Sequence, residues 1–277
     1  MLLGLAAALA AAGVFGCSAV LQAIGSRRVA NDSGLSARTA VLLLQQPAFL
    51  AALLLNLVGF LLHLVAVRLL PLFLAQAGIA ASLAVTALLA MQIFHDRLSR
   101  VDWAAIAAVC GGLALLTAAA GQTGQERATA AMTVTLFAVA AVMVVGGLVA
   151  TRARGPVAAG ALSLLAGLGF ANTALSARLL PELTVSSVLG SPVAYALPLS
   201  GALAFLLYSL ALQRSSVTVA TAPMIVVQTA GPAIVGVLLL GDVVRSGWAL
   251  GALVGFVLTA AGAVALVRFE GVREGAG

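Results

Sequence analysis

Apolar residues run through this chain in long stretches, and the polar residues that separate them return at short, regular intervals. The stretches occupy approximately 2 to 24, 48 to 68, 72 to 94, 102 to 120, 130 to 150, 157 to 177, 192 to 212, 217 to 240 and 246 to 268. Each holds about the 20 residues that a helix needs to cross a hydrocarbon core of roughly 30 Å. The pattern predicts an all-α, polytopic membrane protein of about nine transmembrane helices, with no room for a soluble domain. The opening stretch, Met1 to Gly25, is Ala-rich like a secretory signal. Its basic residues, Arg27 and Arg28, follow the apolar run instead of preceding it, so it reads as the first helix.

Self-comparison adds a second level of order. Gln46 to Gly78 aligns without gaps on Ser191 to Pro223 at a spacing of 145 residues. Pro47 then matches Pro192, Ala51 matches Ala196, Phe60-Leu61-Leu62 matches Phe205-Leu206-Leu207, and His63 falls opposite Tyr208. The only two tryptophans, Trp103 and Trp248, are also 145 apart, and Asp96 pairs with Asp242 after a slip of one residue. The repeats begin five helices apart, which forces opposite orientations in the membrane. The expected organisation is an inverted 4+1+4 repeat: residues 1–120 form the first four-helix unit, 121–155 a linker helix, and 156–277 the second unit with a short tail. Secondary transporters use this arrangement to place a site near the midplane and open it to each side in turn. A duplication kept for packing alone is the competing account.

Composition agrees with the hydropathy pattern, at 63% hydrophobic and 8% charged residues over 277 positions. All 14 basic residues are arginine, and the net charge is +6. A nucleic-acid surface would need a basic stripe with interleaved aromatics, whereas these arginines sit singly or in pairs between spans. They report topology instead. Arg27, Arg28, Arg38, Arg97, Arg100, Arg152, Arg154, Arg214, Arg268 and Arg273 fall on one side, and Arg68, Arg127, Arg178 and Arg245 on the other. The positive-inside rule puts the N-terminus outside and the C-terminus in the cytoplasm of a plasma membrane, the inner membrane of a bacterium. Cys17 and Cys110 lie within spans and read as small apolar residues, not as a disulfide or metal pair.

A small-residue helix pair followed by an acidic turn and a Gly-rich helix occurs twice. The first is Phe94-His95-Asp96-Arg97-Leu98-Ser99-Arg100 leading to Trp103 and Gly111-Gly112, and the second Leu240-Gly241-Asp242-Val243-Val244 leading to Trp248, Gly251 and Gly255. This pattern resembles the drug/metabolite transporter superfamily, which includes the EamA-like proteins, although many of its members carry Glu where both turns here carry Asp. The usual ten-helix form has a further helix in each half, at places occupied here by Ser33 to Gln46 and Pro181 to Ser191, both too short to span. A nine-helix chain with its N-terminus outside is similar to the NIPA-like branch, whose members are described as magnesium transporters. The resemblance implies a polytopic transporter with Mg²⁺ as one candidate substrate. The residues argue otherwise, since Mg²⁺ is usually held by carboxylates and retained waters and none of the eight acids lies within a predicted span.

Polar residues inside the spans are the candidate solute pathway, because they are costly in hydrocarbon and usually face the bundle interior. They are Gln22, Asn56, His63, Gln76, Asn172, Tyr208, Thr221 and Gln228. This uncharged set suits a neutral or zwitterionic small solute better than a bare cation. Hydrogen bonding between helices is the alternative role for each of them. His63, the only ionisable side chain predicted deep in a span, is a candidate for proton coupling or a satisfied packing histidine. Asp96 and Asp242 read as helix caps or as loop ion pairs with neighbouring arginines, Arg97 and Arg100 or Arg245. Pro223 is the expected site of a bend, with Gly78 as its repeat mate. Gly251 to Gly255, Gly111-Gly112 and Gly146-Gly147 suit packing within the bundle or a homodimer contact equally well. No metal-hydrolase or nucleophile constellation points to an enzyme, and no cofactor motif is present. A lipid flippase or a non-transporting scaffold remains the rival to a solute transporter.

Overall fold

The computed structural model describes residues 1–27, 45–94, 98–124, 128–152, 156–182, 184–212, 214 and 217–274. These residues form ten helices: α1 (Leu2–Arg27), α2 (Pro47–Leu69), α3 (Leu72–Phe94), α4 (Arg100–Ala119), α5 (Ala130–Arg152), α6 (Pro156–Leu179), α7 (Val185–Leu189), α8 (Pro192–Leu212), α9 (Val217–Leu239) and α10 (Ala249–Glu274). All except the five-residue α7 are long and apolar enough to cross a membrane, nine spans in total among the described residues. Each falls within a few residues of its expected place. The Pro181 to Ser191 connection holds only the short α7, while most of Ser33 to Gln46 lies outside the described residues.

Local sequence sets the helix ends. Pro47 and Pro192 open α2 and α8, where a missing N–H costs nothing. Ser99 and Asp102 form a reciprocal capping box at the start of α4: the Ser99 N–H donates to Asp102 Oδ2 at 2.7 Å, and the Asp102 N–H donates back to Ser99 Oγ at 3.3 Å. The Ser-x-x-Asp spacing is a start signal that the hydropathy pattern alone passes over. Asp96, expected as a cap in this region, lies outside the described residues.

Residue size sorts by depth. Alanine dominates the buried apolar set, for example Ala52, Ala66, Ala159, Ala204 and Ala263, whereas leucine and valine dominate the exposed one, for example Leu54, Leu148, Val145 and Leu253. In a bilayer, large apolar side chains are at home facing lipid, and small ones let helix backbones approach. The closest approach joins α4 to α10. A Cβ on Gly112 would collide with Thr259 Oγ1 and the Gly255 carbonyl, and one on Gly255 would meet the Gly112 carbonyl oxygen at 2.8 Å. The Gly112 and Gly255 positions are thus used within the bundle, while Gly111 faces open space.

Helix α1 packs along α2 and α3, α6 along α8 and α9, α3 against α4, and α9 against α10. Helices α3 and α9 meet each other, and α5 lies outside against α6 and α8. The connections that follow α2, α4, α6 and α9 are hydrogen-bonded to one another, so these four helices end at the same side of the bundle. Arg214, after α8, donates to the carbonyls of Ala150 and Thr151 in the last turn of α5, so those two helices also end together.

Candidate functional site

The densest polar structure among the described residues lies where the connections after α2, α4, α6 and α9 meet. Arg178, in the last turn of α6, is buried, and its guanidinium donates to Asp242 Oδ1 at 2.7 Å with side-chain exposures of 6% and 0%. The same guanidinium donates to the carbonyls of Val67, of Leu70 at 2.9 Å and of Gly124 at 2.8 Å. Asp242 in turn accepts from the Leu72 N–H through Oδ2 at 2.6 Å and from the Gly124 N–H through Oδ1 at 2.9 Å. One ion pair therefore ties α2, α3, the α4–α5 connection, α6 and the α9–α10 connection.

Helix ends explain why it can be buried. The last carbonyls of a helix lack internal donors and carry partial negative charge, and the first N–H groups carry partial positive charge. Arg178 satisfies carbonyls at the end of α2, and Asp242 caps the start of α3. Arg68, at the end of α2, reciprocates by donating to Leu180 and Pro181 at the end of α6, at 2.9 and 3.0 Å. Backbone threading completes the knot: Ala120 and Val244 pair as an isolated antiparallel bridge, flanked by bonds from Gly121 N to Val243 O and from Arg245 N to Ala119 O. Glycine is required at 124, because a Cβ there would overlap the Leu240 carbonyl. Gly241, beside Asp242, turns at φ +70°, a conformation that costs glycine little.

Two sequence expectations are corrected here. Asp242 pairs with Arg178, 64 residues away, not with its neighbour Arg245, and it caps α3 instead of the helix that follows it. Arg178, expected in a loop as a marker of topology, lies in the last turn of α6 and is buried. Partners so distant in sequence leave no local signal.

One helical turn further into the bundle the polar groups behave differently. His63 lies four residues from Val67, and Gln76 four residues from Leu72, so each is about 6 Å of rise from a backbone group bound by the ion pair. Both are buried, at 7% and 1% exposure, and neither His63 Nε2 nor Gln76 Nε2 meets a hydrogen-bond partner among the described residues. Ser176 Oγ, on α6, is in the same condition. Their counterparts 145 residues on are paired: Tyr208 Oη and Thr221 Oγ1 lie 2.6 Å apart in a hydrogen bond.

The remaining pathway candidates are dispersed. Asn172 donates to the Leu136 carbonyl at 2.9 Å and to Ser200 Oγ at 2.8 Å, joining α5, α6 and α8. Asn56 and Gln228 are half-buried on α2 and α9. The Gln22 backbone belongs to α1, but its side chain lies outside the described residues. A crevice among α3, α9 and α10, lined by Ala77, Ala80, Thr229, Phe256, Thr259 and Ala260, is too tight to admit a water molecule. Among the described residues the buried acids are Asp102 and Asp242, both engaged by protein donors, and no three His, Cys, Asp or Glu side chains group as metal ligands.

The chain matches no protein-family model, no curated protein and no solved structure. Its own geometry is the ground for a functional reading.

Proposed function

We propose that this protein is an integral membrane transporter that moves a small neutral or zwitterionic solute by alternating access of two inverted repeats. The observation that carries the reading is the unequal treatment of repeat-related positions. His63 and Gln76 bury nitrogens without partners among the described residues, while Tyr208 and Thr221, their counterparts, bond to each other. A buried polar atom without a partner costs about 1–3 kcal/mol, which a scaffold held together only by packing has no reason to bear. A solute with hydrogen-bonding groups would offset that cost on binding.

Helix packing supports the 4+1+4 arrangement. The α1–α2 and α1–α3 pairs are matched by α6–α8 and α6–α9, the α3–α4 pair by α9–α10, and the linker α5 stands outside. Ser18 and Ser163, also 145 apart, are both completely buried, as a duplicated core would have them. The groups beneath the knot are an imidazole, an amide and a hydroxyl, uncharged hydrogen-bonding groups with no carboxylate among them, which favours a neutral or zwitterionic solute over the Mg²⁺ suggested by resemblance to NIPA-like and other drug/metabolite transporters. The distribution of arginines assigns the knotted end to the outside of a plasma membrane.

Reconstituted proteoliposomes test the proposal. Saturable uptake of a neutral or zwitterionic metabolite supports it. Lipid scrambling without solute flux would make the protein a flippase, and absence of both would leave a scaffold.

A further inference from the structure

We infer that the Arg178–Asp242 pair is a gate that closes one end of the solute path directly above His63 and Gln76, and that it opens by releasing the ends of α2 and α3 that the two charges hold. The inference rests on the transporter reading, and three observations carry it beyond that reading.

Bonds from the pair cross between the two proposed halves. Arg178 and Asp242 belong to the second unit, whereas Val67, Leu70 and Leu72 belong to the end of α2 and the start of α3 in the first. Separating the units at this end therefore requires breaking these bonds. The contact is also one-sided: α2 packs against α6, but their repeat counterparts α8 and α1 make no comparable contact among the described residues. Inverted repeats that exchange conformations are expected to be joined at one end at a time. Finally, the buried nitrogens of His63 and Gln76 lie one turn inward of the pair, where a path sealed by it would begin.

The chemistry suits a reversible closure. Taking both charges out of water is costly, and a well-packed apolar contact of the same volume would hold the helices at least as well. A buried ion pair instead defines one closed geometry, and opening hands both charges back to water, recovering part of the desolvation cost. The reciprocal bonds from Arg68 to Leu180 and Pro181 align α2 with α6 as the gate shuts.

Thiol accessibility tests the gate without knowledge of the solute. Gln76→Cys is placed in a Cys17→Ser/Cys110→Ser background and reconstituted in sealed vesicles, with Ser186→Cys, exposed at the knotted end, reporting the side reached. A membrane-impermeant cationic methanethiosulfonate should label position 76 from the knotted end at least about tenfold faster once Asp242→Asn is introduced. The double variant Arg178→Gln/Asp242→Asn leaves no charge unpaired, and it carries the test where the single variant misfolds. Unchanged labelling in a monodisperse, folded double variant would overturn the gate and make the ion pair a permanent staple. Faster labelling, together with no flux of any solute through the protein that keeps Gln76, would keep the gate and reject transport; flux without faster labelling would do the reverse.

Discussion

The knot and the layer beneath it are separated by one helical turn and treat polar atoms in opposite ways. In the knot, Arg178 and Asp242 meet each other and five backbone groups, so a buried charge of each sign is held in a single arrangement. In the layer beneath, His63 Nε2 and Gln76 Nε2 are buried with no partner among the described residues, as is Ser176 Oγ two residues before Arg178. The contrast separates what specifies a conformation from what is left for something else to bind. Fully satisfied polar networks rigidify a core, and unsatisfied ones cost stability wherever they persist.

Substitutions can break this contrast from either side. The largest loss should follow Asp242→Ala or Arg178→Ala, each leaving its partner charged and buried, with a cost of about 3–5 kcal/mol in detergent unfolding measurements. The double substitution Arg178→Met/Asp242→Leu should recover part of that loss, since it removes both charges together but leaves the backbone groups they bond without those partners. Next comes Gly124→Ala, whose Cβ would overlap the Leu240 carbonyl and displace the α4–α5 connection, costing about 1–3 kcal/mol on the same assay. Tyr208→Phe removes one made hydrogen bond and should cost about 1 kcal/mol. The sharpest contrast is with its repeat mate. His63→Leu or Gln76→Leu takes away a buried polar atom that has no partner among the described residues, so unfolding stability should hold or rise by up to about 1 kcal/mol while transport falls. A loss of stability as large as that of Tyr208→Phe would show that these side chains serve packing.

Hydropathy made the nine spans legible because a bilayer demands length and apolarity from each helix independently of its neighbours. Buried His63 and Gln76 were legible for a related reason: a polar residue in such a span stands out against its surroundings. The knot was not. Asp242 could be read only against Arg245 beside it, whereas the fold brings Arg178 from 64 residues upstream and Leu72 from 170. Arg68 and Arg178 stand next to apolar spans like any loop arginine, and nothing local tells that each binds the end of the other's helix. The capping box at Ser99 and Asp102 did carry a local signal, the three-residue spacing ahead of an apolar run. The 145-residue repeat linked His63 to Tyr208, but it gave no hint that one pair of mates would be bonded and the other not.

Solute uptake into proteoliposomes, compared between the intact protein and His63→Leu/Gln76→Leu, tests the central claim most directly. The account predicts saturable uptake of a neutral or zwitterionic metabolite by the intact protein and its loss in a variant that remains folded. Absence of saturable uptake across such solutes, or a Mg²⁺ flux that the two substitutions leave unchanged, would contradict it.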